Sequence, residues 1–544
     1  MEIILLVLVI VQIIFTVAAL MFFWDGDKPN RTFRPTCEFD CKNESAKLEA
    51  MRKISLTRPL SEKTRPEKMS EIIGQENGIK ALRAVFCGKN PQHVIIYGPA
   101  GVGKTAAARI VLEEAKKNPM SPFKDNAKFV EIDATTLRFD ERSIADPLIG
   151  SVHDPIYQGA GAYGQAGIPQ PKEGAVTKAH GGVLFIDEIG ELNPVQMNKL
   201  LKVLEDRKVH LESAYYSSDN KMIPEYIHDI FKNGFPADFR LIGATTRSPE
   251  DIPEALRSRC CEIFFDGLKS EHIKKIAVNA AKSTGMDYEK EAVDRITDFS
   301  KNGRDTVNII QTAASLAILE NREKITLEDI NWVMKSGRYQ PIPKGETSDS
   351  DHVGMVNGLG VTPDGRGMLL KIEAAVYDGT GNVEVTGIIE EEEFKNGSIT
   401  RKRRSTASAS VKNALSALKN LGINNDKFDI HVNFPGGMPV DGPSAGCAIF
   451  SALFSAFKNE QCDPRCAMTG EIDIFGNVLP VGGVEAKIDA AIEAGVKTVF
   501  VPAANADNMF DEKDANIVYV DNVEKIIDRA FKENVNKIRT EKTA

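Results

Sequence analysis

Cysteine, histidine and tryptophan are scarce: the 544 residues include 8, 8 and 2 of them. So few cysteines, scattered along so long a chain, exclude the disulfide framework of a small secreted domain and suit a reducing compartment. Two pairs, Cys37 with Cys41 and Cys462 with Cys466, invite a metal or redox reading. Neither has histidines nearby or a second matching pair, so both are expected to be reduced structural thiols. A basic excess is missing too. Lysine and arginine number 68 against 77 acidic residues, a formal net charge of -9. Nucleic-acid binding needs a basic face, so no dedicated nucleic-acid module is expected. What the chain does have is length, enough for three or four domains with full-sized cores.

Ile3 to Trp24 carries no charge, and its only polar residues are Gln12 and Thr16. It reaches the roughly 20 residues that a bilayer span needs. A cleaved signal peptide would show a basic start, a shorter apolar core and a small-residue cleavage site, and the run has none of these. Lys28, Arg31, Arg34, Lys42 and Lys47 follow the run, while Glu2 alone precedes it, which puts everything past residue 25 on the cytoplasmic side. A single-pass anchor in the cell membrane is therefore expected over 1–26. Residues 27–60 are polar, broken by Pro29 and Pro35, and read as a tether with one short helix.

A short apolar strand, His93 to Tyr97, runs into Gly98, Pro99, Ala100, Gly101, Val102, Gly103, Lys104 and Thr105, the pattern G-x-x-x-x-G-K-[ST]. Its glycines let backbone N–H groups surround phosphates, Lys104 would reach the β- and γ-phosphates, and the Thr105 hydroxyl would ligate magnesium. A second buried strand, 182–186, ends in Asp187 and Glu188. Asp187 would hold the magnesium, and Glu188 would polarise an attacking water. Together these motifs resemble the AAA+ superfamily, and Ile73 to Glu76 resembles the nucleotide-edge motif of that class. The resemblance implies an α/β P-loop ATPase using ATP and Mg2+, with its large subdomain over 61–267 and a small helical lid over 268–338. It also places sensor 1 at Thr246 rather than Thr245, an arginine finger at Arg259 with Arg257 as the fallback, and sensor 2 at Arg304, where Arg295 and Arg322 compete. A finger that acts on a neighbour's γ-phosphate requires a ring. Between the two phosphate motifs lies a glycine-rich stretch, 153–174, in which Tyr157 or Tyr163 would tip a mobile loop gripping an unfolded chain. An ordinary flexible insert is the alternative.

Further on, Asp441, Gly442, Pro443, Ser444, Ala445 and Gly446 lie at a loop-to-helix junction before an apolar run of small residues. Asp441 would cap that helix, Pro443 suits its first turn, and the positive end of the helix would favour an oxyanion formed at Ser444. A capped helix with an incidental serine is the plain alternative, and Lys487 decides against it. On a helical period Lys487 shares the dry face with Val484, Ile488 and Ala491, opposite Glu485, Asp489 and Glu493. Desolvation there would turn its amine into a neutral base able to activate a serine.

This arrangement resembles the Lon protease family over about 353–523. The matching residues are the DGPSAG serine, the segment Met468 to Glu471, and the lysine of the GG-x-x-x-K pattern at Gly482, Gly483 and Lys487. The resemblance implies an α/β Lon-type proteolytic domain over 352–544, joined to the motor by a linker over 339–351. It implies Ser444 and Lys487 as a catalytic dyad supported by Thr469, with His431 at another family position nearby. The expected activity is that of an ATP-dependent serine endopeptidase that unfolds and degrades unfolded or damaged proteins inside a homo-oligomeric ring, a hexamer in the family. The charge run 390–404 is read as a solvated loop.

No large substrate domain precedes the ATPase motifs, and residues 106–186 contain no membrane run. The chain thus resembles the LonB form of spore-forming bacteria rather than the long LonA or the archaeal form. A remodelling ATPase whose Lon-like domain is only structural would have lost Ser444 or Lys487, and both are present. A DNA motor would carry a basic module, and none is seen.

Overall fold

The computed structural model describes residues 16, 47–54, 57, 59–137, 146–153, 168–213, 216–220, 223–300, 302–342, 352–362, 365–387, 391–396, 399–404, 406–435, 443–507, 510 and 513–531. The expected span, apart from Thr16, lies outside these residues, as do Cys37, Cys41, Tyr157, Tyr163, Asp441 and most of the linker. Among the described residues no helix is long and apolar enough to cross a membrane. The chain divides into two compact units, Met1–Glu62 and Lys63–Ala544. The first contains a helical stretch at 47–53, and a short turn of helix, Leu60–Lys63, lies at the division.

The second unit holds two sheets. The motor sheet contains β1 (His93–Tyr97), β2 (Phe129–Asp133), β3 (Val183–Asp187), β4 (Arg240–Thr245) and β5 (Cys260–Phe264), in the order β2-β3-β4-β1-β5 and all parallel. Residues Val94 to Tyr97 of β1 and Val183 to Ile186 of β3 are all buried, as strands covered on both faces must be. Because the strands run parallel, the ends of β1, β3 and β4 open on one edge, where ligands of such sheets bind. From that edge α1 (Lys104–Lys117) departs after Gly103. Residues 268–338, expected as a small helical lid, contain α2 (Ser270–Thr284), α3 (Lys290–Ile296), α4 (Gly303–Leu319) and α5 (Leu327–Ser336).

The proteolytic half is built on β6 (Met355–Val361), β7 (Gly367–Asp378), β8 (Val383–Thr386), β9 (Phe428–Asn433), β10 (Cys466–Met468), β11 (Thr498–Pro502) and β12 (Asn516–Val520), in the order β8-β9-β7-β6-β10-β11-β12. Helices α6 (Thr406–Asn420) and α7 (Gly446–Lys458) share one core with Cys466, Met468 and Phe500, whereas α8 (Val484–Glu493) shares the other with Ala467, Val499 and Val501. Alternate residues of β10 and β11 thus serve opposite faces.

One expectation needs correction. Within 390–404, Glu391–Asn396 and Ile399–Arg404 pair as an antiparallel hairpin instead of forming a loop. The register runs from Glu391 opposite Arg404 to Asn396 opposite Ile399, so each segment supplies the backbone partners of the other.

Candidate active site

The nucleotide motifs meet at the open edge of the motor sheet. Gly98, Gly101 and Gly103 all adopt positive φ, which L side chains resist, so the turn around the phosphates depends on them. Lys104 is 7% exposed, and its Nζ donates to the carbonyl oxygens of Gly98, at 2.5 Å, and Pro99, at 2.9 Å. Burial lowers its pKa, while Glu188 and Asp187 pull it back toward the charged form. Burial and the neighbouring Glu188 raise the pKa of Asp187. The Thr105 hydroxyl lies 3.5 Å from Asp187 Oδ2. One hydroxyl and one carboxylate fit Mg2+, which takes few protein ligands and keeps waters and phosphate oxygens for the rest.

Glu188 sits in the left-handed region at φ 48, a strain on the order of 1 kcal/mol of the kind that concentrates at functional sites. Its Oε2 accepts from both the backbone N–H and the hydroxyl of Thr246, each at 3.1 Å. Thr245 is fully buried and accepts instead from the Arg247 N–H at 3.1 Å. The structure therefore brings Thr246, not Thr245, to the glutamate. Arg304 is exposed in the first turn of α4, whose start abuts the phosphate loop, with Gly303 N donating to Gly101 O at 3.2 Å. Its competitors are engaged elsewhere in the lid, Arg295 with Asp298 and Arg322 with Asp329 and Glu320. Arg259 lies at the opposite edge of the sheet, just before β5, and donates to Glu205 and to the Ala255 carbonyl. Arg257 is held by Glu262, which also accepts from the Tyr97 hydroxyl.

In the proteolytic half, α7 begins at Gly446 with Ala445 at its N-cap position. Ser444 lies in the preceding turn, Pro443–Ala445, so the helix starts later than the proline suggested. The alternation along β10 continues into Thr469, which turns to the α8 side. There Lys487 Nζ donates to Thr469 Oγ1 at 3.2 Å, and the same hydroxyl donates to the carbonyl of Ser444 at 3.3 Å. Gly470 N also donates to that carbonyl, at 2.9 Å. One threonine thus joins the lysine to the serine's backbone. Lys487 is 2% exposed, and burial alone lowers its pKa to about 8. A neutral amine has two N–H bonds and one lone pair; Thr469 takes an N–H, which leaves the lone pair for a hydroxyl proton.

His431 lies on β9, where its Nε2 is 2.9 Å from the Thr386 hydroxyl. Cys462 and Cys466 are buried, and burial holds the Cys462 thiol well above its ordinary range, which leaves it protonated and inert. Asn302 lies beside the phosphate loop too, a position not expected from the motifs. A side chain at Gly101 would come within 3.0 Å of it, and it caps α4 through the Asp305 N–H at 2.8 Å. Asparagine ahead of a helical period was the available signal.

Residues 324–533 match the family described as the Lon protease (S16) C-terminal proteolytic domain, and residues 94–268 match the ATPase family associated with various cellular activities. Lon protease 2 of Bacillus subtilis (strain 168) is 53% identical over 530 residues, which cover 97% of this chain and 95% of that protein. An archaeal Lon protease of Thermococcus kodakarensis is 28% identical over 442 residues, or 72% of this chain and 66% of its own. A Lon protease of Malacoplasma penetrans is 29% identical over 477 residues, or 81% and 54%.

Proposed function

Because the chain belongs to the Lon protease family and is an ATP-dependent protease, we propose that Ser444 is its nucleophile and Lys487 its general base, with Thr469 holding the amine in place. The observation that carries this reading is the Thr469 hydroxyl, hydrogen-bonded to Lys487 on one side and to the Ser444 carbonyl on the other. Neutral Lys487 takes the Ser444 hydroxyl proton as Oγ attacks the peptide carbonyl. It then returns the proton to the leaving amine as the C–N bond breaks and an ester forms on Ser444. A water deprotonated by the same amine hydrolyses the ester, restoring the serine and releasing a carboxylate. Backbone N–H groups at the start of α7 suit the oxyanion.

In the motor, Lys104 and the phosphate loop hold ATP, while Thr105 and Asp187 would hold Mg2+, which supplies charge neutralisation at the phosphates. Glu188, fixed by Thr246, orients the attacking water. Arg304 reports on the nucleotide from the lid. Arg259 serves a neighbouring subunit, as its place far from the chain's own phosphate loop suits, and this implies a ring, proposed as a hexamer. Substrates are unfolded or damaged proteins. The apolar run over 3–24 anchors the ring to the cell membrane with its catalytic parts in the cytoplasm, and the LonB form is the nearest in plan.

The test is degradation of an unfolded model protein with and without ATP-Mg by wild type, Ser444→Ala and Lys104→Ala. Degradation by wild type alone, only with ATP, and with Ser444→Ala still hydrolysing ATP, is expected. ATP hydrolysis without cleavage by any of the three would favour a remodelling motor.

A further inference from the structure

The segment 265–269, which leads from β5 to the lid helix α2, touches both the nucleotide site and the helix that carries Lys487. On the motor side Gln75 clasps the Asp266 backbone twice, its Nε2 donating to the carbonyl at 2.7 Å and its Oε1 accepting the N–H at 3.0 Å. Phe265 N donates to the Tyr97 carbonyl at 2.8 Å, directly before the phosphate loop. On the protease side Lys269 Nζ donates to Asp489 Oδ2 at 2.6 Å, 220 residues away in sequence. Asp489 Oδ1 accepts from Lys513 Nζ at 2.7 Å. A second contact runs alongside. A Cβ at Gly267 would lie 2.7 Å from the Arg366 side chain, and one at Gly367 would lie 1.9 Å from the carbonyl of Ala486. The start of β7 therefore bridges the hinge and the backbone next to Lys487.

Helix α8 has 10 residues, fewer than three turns, so it moves as a rod. Lys487 and Asp489 project from opposite sides of it. Of the two cations on Asp489, Lys513 belongs to the protease and Lys269 to the motor. Displacing the hinge therefore pulls α8 against a fixed partner and shifts Lys487 on its far side. We propose that Lys269 is a positioning residue for proteolysis: its ion pair with Asp489 carries the nucleotide state of the motor to α8, and so sets the place of the lysine amine. The other charges around the pair are Asp266, Glu485 and Glu493. The inference rests on Lys487 being the base. Exposed ion pairs contribute little to stability, so losing this one changes position rather than folding.

The test uses the full chain and a short unstructured fluorogenic peptide, which needs no unfolding, with and without ATP-Mg, alongside ATP hydrolysis. In Lys269→Ala, ATP hydrolysis and nucleotide-free cleavage are expected to stay within about twofold of wild type, while the stimulation of kcat by ATP falls by about fivefold, the low end of coupling between sites. Lys269→Arg is expected to keep the stimulation, and Lys513→Ala to keep it also. Combining Lys269→Ala with Asp489→Asn is expected to cost the ATP stimulation no more than either alone, since both break the Lys269 contact and the Lys513 contact, which Asp489→Asn also weakens, is not needed for it. Full stimulation in Lys269→Ala, multiplying losses in the double variant, or a wild type indifferent to ATP would overturn the coupling. Failure of the base itself is separate: nucleotide-free wild-type cleavage would then lack a rise with pH through the range of the Lys487 amine.

Discussion

Among the described residues, Lys104 and Lys487 are the buried lysines, 7% and 2% exposed, and burial lowers the pKa of each. Their surroundings then part. Lys104 has Glu188 and Asp187 to restore its charge, whereas no carboxylate opposes the burial of Lys487. In the roles proposed for them, one site keeps a cation for phosphate and the other makes a base for a hydroxyl. The same side chain does opposite electrostatic work because one pocket contains acids and the other does not.

The widest break in that comparison is a charge-keeping substitution. Arginine cannot deprotonate. Lys487→Arg should cut peptide cleavage by at least about a thousandfold, measured as kcat/KM, while Lys104→Arg should retain nucleotide binding by equilibrium titration. Next is stability. A lysine lowered from 10.5 to about 8 favours the unfolded, protonated chain at lower pH, a cost of about 3 kcal/mol below pH 8. Between those two values the unfolded chain binds the extra proton, so stability rises with pH across that window. Lys487→Met should therefore raise Tm at pH 7, with its advantage shrinking by pH 10 in thermal melts. Thr469→Val should slow cleavage by about tenfold to a hundredfold, the cost of losing its hydrogen bonds to the buried Lys487 amine and the Ser444 carbonyl. The smallest effect is Thr246→Ala, which removes the hydroxyl contact to Glu188 but keeps the backbone one, and should slow ATP hydrolysis by about tenfold, leaving nucleotide-free peptide cleavage unchanged.

Much of this was legible because the phosphate loop is contiguous. Gly98 to Thr105 carry their chemistry mostly in the backbone, and strand and helix can be read on either side. The helical face of Lys487 was legible for the same reason, since a period of 3.6 needs only local sequence. What could not be read depends on distant partners. That Thr469 turns toward α8 follows from the alternation of β10, a strand of three residues with too few positions to show a period. Asp489 reads as a solvent residue until Lys269 is brought to it. The hairpin of Glu391–Asn396 with Ile399–Arg404 was hidden because strand pairing depends on a partner segment rather than on the composition of one run.

The central claim is that burial alone makes Lys487 the base, and the pH dependence of kcat/KM for a short unstructured peptide without nucleotide tests it most directly. The expected profile rises through about pH 8 and flattens above it, because about a tenth of the amine is neutral at pH 7 and most of it by pH 9. A profile that is flat from pH 6 to 9, or that begins to rise only near the pKa of an exposed lysine, would contradict it.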